Sequence, residues 1–312
     1  MASFAMMTLL QQLSLLTTEE INPLTAAIDR ADARQIVQML HEQDALVASA
    51  VGTQLDEIAK AVDVTTQAFR NGGRLIYVGA GTSGRLGILD ASEMPPTYGT
   101  APEMVQGIIA GGRDAVFRSV EGAEDSPDEG ARAIDDLEVG PHDVVCGISA
   151  SGRTPFVLGA VRRGRECNAH TILISTNPRE IVATLCPEAH ILICPVVGAE
   201  PITGSTRMKS GTAQKMVLNM ITTGAMVRLG KTYGNVMVDL QLTNEKLRQR
   251  AARMVMSICG VDHQQATMLL ADANGHVKSA LVMHHYGCSR EEAEVRLLAA
   301  NGIVRIAMEN QP

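Results

Sequence analysis

Between Leu75 and Pro195 the chain alternates short apolar runs with amphipathic stretches, and this alternation constrains the fold more than any other feature. Five runs read as strands: Leu75–Val78, Val105–Ala110, Asp143–Ile148, His170–Ser175 and Ala189–Pro195. Each is brief, rich in β-branched residues and nearly continuous in apolar character. Strands covered on both faces of a parallel sheet have that pattern, whereas half-solvated strands alternate. Helix-period stretches such as Ser126–Asp136 and Pro155–Arg165 lie between the runs. Parallel strands joined by crossover helices predict an α/β fold: a doubly wound, mainly parallel five-stranded sheet flanked by helices.

Helical patterns flank this region. Residues 31–69 carry apolar faces at helical spacing, including Val51, Leu55, Ile58, Ala59 and Val62, until Asn71-Gly72-Gly73 stops them. Lys209–Leu229 reads as one long helix whose methionines fill a core. Thr243–Ser257 is a more charged helix. The tail holds three short helical patterns, Asp262–Ala273, Gly275–His285 and Ser289–Ala300, which predict a small C-terminal three-helix bundle. The expected organisation is an N-terminal helical segment (1–64), a sheet domain (65–230), a helical connector (231–254) and a small C-terminal helical domain (255–312).

Composition excludes several functions. With 46% hydrophobic residues in 312, a large core is available. A net charge of -7, 3% aromatics and no Trp predict no nucleic-acid partner, which would need a basic surface and stacking platforms. No apolar run is long enough to span a membrane. The apolar start MASFAMMTLLQQLSLL has no Lys or Arg before Arg30, so it does not read as a signal peptide and a cytoplasmic protein is expected. None of the six Cys forms C-x-x-C and the eight His are scattered, so reduced thiols and no metal site are expected.

The glycine loops carry the functional signal. Gly79-Ala80-Gly81-Thr82-Ser83-Gly84 follows the first strand and matches G-x-G-x-x-G. A dinucleotide site also needs an acid at the end of the second strand to hold the ribose. That strand ends in Ala110-Gly111-Gly112, Asp114 comes after Arg113, and Asp90 and Glu93 fall too early, so no dinucleotide cofactor is expected. The loop recurs instead. Gly147-Ile148-Ser149-Ala150-Ser151-Gly152-Arg153-Thr154 again runs from strand through hydroxyls to Ser-Gly-Arg and a helix. Thr203-Gly204-Ser205-Thr206-Arg207-Met208-Lys209 sets hydroxyls and cations before a third helix. Helix starts at the carboxyl edge of a parallel sheet favour anions, and Ser or Thr hydroxyls both donate to and accept from sugar hydroxyls. A phosphorylated, hydroxyl-rich ligand fits, with Arg85, Arg153, Arg207 and Lys209 as candidate counter-charges ranked below the hydroxyls. Three ordinary capped helices are the alternative.

Together these loops resemble a sugar isomerase (SIS) domain. The segments GAGTSGRLGILDASEMPPTYG (79–99), VEGAEDS (120–126), SASGRTP (149–155), TGSTRMKSGTAQKMVLNM (203–220), GNVMVDL (234–240) and TNEKL (243–247) resemble the N-acetylmuramic acid 6-phosphate etherase family, a likeness that runs from about Asn22 to the end. The glucokinase regulatory protein is similar in its SIS architecture but has two such domains in a longer chain. The resemblance implies cleavage of the D-lactyl ether of N-acetylmuramic acid 6-phosphate to N-acetylglucosamine 6-phosphate and D-lactate, in the recycling of bacterial cell-wall sugars, with no metal or redox cofactor. It implies a homodimer. The tail resembles a ubiquitin-associated-like module, expected here to aid dimerisation or cover the site.

Residue by residue, the family's catalytic pair falls on Glu93, in DASE, and Glu124, in EGAED. Glu93 would take the C2 proton and deliver one to the departing oxygen, and Glu124 would assist water addition or ring opening. Glu121 and Asp125 are rivals by sequence position. The resemblance assigns the phosphate and nearby hydroxyls to Thr82, Ser83, Ser149, Ser151 and Thr154 with the N–H groups of Gly84 and Gly152, and ranks Ser205, Thr206 and Lys209 second. Two other readings stay open: a non-catalytic sugar-phosphate sensor and an aldose–ketose isomerase.

Overall fold

The structure is a computed structural model that describes residues 15–239 and 245–309. The apolar start up to residue 14, Leu240 of the 234–240 segment, Thr243 and Asn244 at the expected start of the charged helix, and the last residues of the tail lie outside the described residues. The chain divides into two compact units. One runs to Ser92 and includes Pro102–Thr222; the other comprises Glu93–Ala101 and everything from Thr223.

The first unit is built on five parallel strands: β1 (Leu75–Gly79), β2 (Val105–Ile109), β3 (Val144–Ile148), β4 (His170–Ile174) and β5 (Ile191–Ile193), in the order β2-β1-β3-β4-β5. Strand β1 is central, pairing Leu75 with both Val105 and Val144 and ending with Gly79 beside Ile109 and Ile148. All residues of β1 and β3 are buried, as the continuous apolar runs require. The switch in strand order between β2-β1 and β1-β3 opens a crevice at the carboxyl edge, where ligands of open α/β sheets bind.

Helices α1 (Ala33–Asp44), α2 (Val47–Gly52) and α3 (Leu55–Arg70) precede the sheet. The helical stretch expected over 31–69 is thus divided, with Thr53 and Gln54 between α2 and α3. Asp32 and Gln35 close a reciprocal cap at the start of α1. Between the strands lie α4 (Gly81–Tyr98), the single turn α5 (Asp114–Phe117), α6 (Pro127–Asp135), α7 (Pro155–Glu166) and α8 (Arg179–Leu185), and α9 (Lys209–Arg228) follows β5. On one sheet face Ile76, Val78 and Val145 pack with Ile134, Phe156 and Ala160. Burying each large side chain contributes roughly 1.5–3 kcal/mol.

Helices α6 and α7 cross at two glycines. A Cβ on Gly130 would strike the carbonyl of Phe156, and one on Gly159 would strike that of Pro127. The absent side chains let the two backbones touch.

The second unit has a two-stranded hairpin, β6 (Thr232–Tyr233) and β7 (Val236–Met237), turned by Gly234 and Asn235. Helices α10 (Glu245–Cys259), α11 (His263–Asp272), α12 (Val277–Tyr286), α13 (Arg290–Ala299) and α14 (Val304–Glu309) follow. The three helical patterns of the tail form α11, α12 and α13, and a short fourth helix, α14, adds to them. Their core is alanine-rich, with Ala251, Ala266, Ala280 and Ala293 wholly buried around Leu270, Leu281 and Val304. No described helix is long and apolar enough to cross a membrane.

Candidate active site

The first glycine loop is tighter than its sequence suggests. Helix α4 begins at Gly81, so Thr82, Ser83 and Gly84 form its opening turn. Ser83 is buried, and its hydroxyl donates to Gln214 Oε1 of α9 at 2.9 Å. Thr82 faces Gly211, one turn before Gln214. The first loop and the helix after the third are therefore neighbours. Gly84 N–H donates to the Ala80 carbonyl at 3.2 Å.

Arg85 does not serve as a free counter-charge. Its guanidinium donates to the carbonyls of Val116 (2.8 Å), Ala115 (2.7 Å) and Arg118 (3.3 Å). It clamps the turn after β2, and that turn leads to Glu121 and Glu124. Beside the clamp is a cavity of about 340 Å³ lined by Gly81, Arg85, Arg118, Ser119, Glu121 and Glu124, among others. Of the three acids that competed in the sequence, Glu121 and Glu124 thus border one cavity. Asp125 is not part of its lining.

The second loop is a cluster of hydroxyls. Ser149 Oγ lies 2.9 Å from Thr154 Oγ1 and 3.4 Å from Ser151 Oγ, and it accepts the Gly152 N–H at 3.1 Å. Ser151 Oγ accepts the Arg153 N–H at 3.2 Å. Gly152 has φ +72°, and a Cβ there would come 3.0 Å from Ser175 Oγ, so both backbone and space call for glycine. The start of α7 connects this loop to Glu124: Phe156 N–H donates to the Glu124 carbonyl at 3.0 Å. Ser149, Ser151, Thr154 and Glu124 are thereby held together at the carboxyl edge of the sheet.

The third loop behaves differently. Glu200 is fully buried, and its carboxylate accepts the N–H groups of Lys209 and Ser210, both at 2.9 Å. An internal anion thus caps the start of α9. Lys209 is also buried, with Nζ donating to the Val197 carbonyl at 2.7 Å and to Gln43 Oε1 at 3.2 Å. Burial holds its ammonium below the ordinary lysine range, partly offset by Glu200 and Asp44. Ser205 and Thr206 are half-buried, and their hydroxyls have no partner among the described residues.

Three features escaped sequence reasoning. Ser175-Thr176-Asn177, directly after β4, is wholly buried and converges on the Ala150 carbonyl. Ser175 Oγ (3.0 Å), Thr176 Oγ1 (3.1 Å) and Asn177 Nδ2 (3.1 Å) all donate to it. This strand-then-hydroxyl pattern matches the other loops and was readable in principle. Gln214 is a second, legible only through its pairing with Ser83. Asp90, dismissed as too early for a ribose ligand, accepts from Tyr77 Oη (3.0 Å), Asn219 Nδ2 (2.8 Å) and Thr222 Oγ1 (3.3 Å) inside the first unit. Burial raises its pKa above the usual carboxylate range despite these hydrogen bonds.

Glu93 belongs to the second unit and is exposed on α4. Pro95 and Pro96 follow it within the helix. Lacking N–H groups, they leave the carbonyls of Ala91 and Ser92 without their helical donors.

The sheet and its loops are of the SIS-domain class: residues 57–164 match the glucokinase regulatory protein N-terminal SIS domain. Residues 234–279 match the C-terminal lid domain of glucokinase regulatory protein. The chain is 55% identical to the N-acetylmuramic acid 6-phosphate etherase of Salinibacter ruber, over 96% of both chains. It is 53% identical to that of Rhodopirellula baltica, over 94% of this chain and 96% of the relative. The solved phosphoheptose isomerase of Neisseria gonorrhoeae is 17% identical, with a TM-score of 0.43, over 61% of this chain and 97% of that one. The chain belongs to the N-acetylmuramic acid 6-phosphate etherase family.

Proposed function

We propose that this protein cleaves the D-lactyl ether of N-acetylmuramic acid 6-phosphate, releasing N-acetylglucosamine 6-phosphate and D-lactate in the recycling of cell-wall sugar. The observation that carries the proposal is full-length identity above half to named etherases. The cluster of Ser149, Ser151 and Thr154 beside Glu124 supports it.

An ether resists direct hydrolysis because alkoxide is a poor leaving group, and the open-chain sugar avoids the difficulty. The C2–H bond lies beside the C1 aldehyde, so a base removes that proton and the electron pair enters an enolate. The enolate re-forms the carbonyl as C2=C3 forms and C3–O breaks, and the departing ether oxygen takes a proton to give D-lactate. Water then adds across the unsaturated aldehyde, hydroxyl to C3 and proton to C2. The sum is ether plus water to two alcohols. We assign the C2 proton and the leaving-group proton to Glu93 and the water step to Glu124. Each role is worth about 10²–10⁴-fold in rate.

Thr82, Ser83, Ser149, Ser151 and Thr154, with the N–H groups of Gly84 and Gly152, are assigned to the phosphate and adjacent hydroxyls, and Ser205, Thr206 and Lys209 to a supporting rank. A single chain leaves Glu93 exposed, and we assign its enclosure to the second chain of a homodimer. The proposed compartment is the cytoplasm, where a phosphorylated sugar is retained.

The test is lactate release from N-acetylmuramic acid 6-phosphate by the wild type, Glu93→Ala and Glu124→Ala, with fructose 6-phosphate as a second substrate. Lactate from the wild type and none above background from Glu93→Ala supports the reading. A wild type that releases no lactate but interconverts fructose 6-phosphate with an aldose overturns it in favour of an isomerase.

A further inference from the structure

The second unit contains a cavity of about 460 Å³ that the proposed chemistry does not use. Gly99, Asp239, His276, Val277, Lys278 and Ser279 are among its lining residues. It opens on the start of α12, a ten-residue helix whose N-cap, His276, makes no side-chain cap. The first N–H groups of a helix have no partner within it. Those of Val277, Lys278 and Ser279 have no acceptor among the described residues; the first helical bond is Ala280 N–H to the His276 carbonyl at 3.0 Å. Val277 and Ser279 are only 2% and 3% exposed, so bulk water does not readily satisfy this helix end.

A second observation is independent of the backbone. Ser279, 97% buried by the same measure, lines the cavity, and its hydroxyl has no hydrogen-bond partner among the described residues. A third concerns charge. Lys278 Nζ lies 2.9 Å and Lys231 Nζ 2.7 Å from the same carboxylate oxygen, Asp239 Oδ2. Two ammonium groups share one carboxylate: Lys278 and Asp239 line the cavity, and Lys231, outside the lining, leaves the trio with a net positive charge. The exposed His276 ring is the remaining titratable group in the lining.

We propose that this cavity binds the phosphate group of a small phosphorylated molecule. The three N–H groups, the Ser279 hydroxyl and the Lys278 ammonium are its donors, and Asp239 fixes Lys278 in position. Five donors at one helix start exceed what the two oxygens of a carboxylate use well, whereas a phosphate monoester offers three oxygens and a charge that the helix dipole favours. The volume falls within the range of small-molecule sites. Its lining residues are none of those assigned to the sugar phosphate above, and the proposal does not depend on the etherase reaction.

The experiment is an amide-shift titration of the full-length protein with inorganic phosphate, read at Val277, Lys278 and Ser279, with acetate as the parallel anion. The expected result is a saturable shift at these amides at roughly millimolar phosphate. Ser279→Ala and Lys278→Gln are each expected to raise the midpoint about fivefold. Ser279→Ala leaves the lysine–aspartate trio intact, so the test survives if Lys278→Gln fails to fold. The same shifts are expected in Ser151→Ala, which alters only the sheet-domain loop; failure of the etherase reading would leave them unchanged. Absence of a saturable shift, midpoints unchanged in Ser279→Ala, or acetate binding as tightly as phosphate would each overturn the proposal.

Discussion

Ser83 and Gln214 lie 131 residues apart in the chain, yet their side chains meet at 2.9 Å inside the first unit. Both are buried, and the Gln214 Nε2 has no hydrogen-bond partner among the described residues. Gln214 thus uses one end of its amide to orient the hydroxyl that the glycine loop presents. Replacing it with Leu removes the acceptor but also the unpaired donor, so the expected stability loss is modest, about 1 kcal/mol by urea unfolding. Binding is expected to suffer more, with KM rising further than kcat falls. In a Ser83→Ala background the same substitution should add almost nothing to KM, because its effect passes through the hydroxyl. Equal effects in both backgrounds would show that Gln214 acts by another route.

Glu93 and Glu124 are both exposed in a single chain. Exposed positions tolerate substitution to within about 0.5 kcal/mol, so Glu93→Gln and Glu124→Gln should melt near the wild type. Lactate release is expected to fall by about 10²–10⁴-fold in each. Measuring melting and turnover on the same preparations separates chemistry from folding. A Glu124→Gln enzyme of full activity would move the water step to Glu121, which borders the same cavity.

Much of this architecture was legible because apolar continuity reports burial on both sheet faces. Strands β1 to β4 begin and end within one residue of the runs read from sequence, since Gly or a polar residue closes each of them. Strand β5 is shorter than Ala189–Pro195, because apolar character marks burial and not ladder bonding. The glycine loops were visible as motifs, but the partner of each side chain was not. Arg85 looked like a ligand cation and holds three carbonyls of its own chain. Lys209 looked similar and is buried against Val197 and Gln43. A cation in a loop reads alike whether it faces a ligand or an internal oxygen, and the difference arises from tertiary contacts, 30 to 33 residues away for Arg85 and 166 residues away where Lys209 meets Gln43.

The crossing of α6 and α7 offers a geometric test of how Glu124 is held. Gly159→Ala drives a methyl into the Pro127 backbone, and the helices must separate. Overpacking of this kind costs about 1–3 kcal/mol. Because Phe156 N–H grips the Glu124 carbonyl, separation should also displace Glu124 and lower kcat. Gly140→Ala is the control, since nothing lies within 4 Å of the added carbon. A Gly159→Ala protein that is destabilised yet fully active at low temperature would show that Glu124 does not depend on this crossing.

At the opposite edge of the sheet, Arg74 and Asp143 join the amino ends of β1 and β3. Arg74 Nη2 lies 2.8 Å from Asp143 Oδ2, and the Asp143 side chain is 7% exposed. Burial alone would raise this carboxyl. Hydrogen bonds from the Arg74 side chain and from the N–H groups of Gly140 and Arg74 overcome that and hold it below the usual range. A lowered folded-state value means that the unfolded chain binds the proton more tightly. The contribution to stability is therefore complete above the unfolded value of about 4 and disappears as pH falls through the folded value. Asp143→Asn should cost about 2 kcal/mol near neutral pH by urea unfolding. The gap to the wild type should narrow as pH falls below the unfolded value of about 4 and close once pH has passed the lower folded value. Activity well below the melting temperature should be unchanged, because this pair sits at the edge away from the glycine loops. A stability gap that persists undiminished in acid would mean that the pair acts through shape and not through charge.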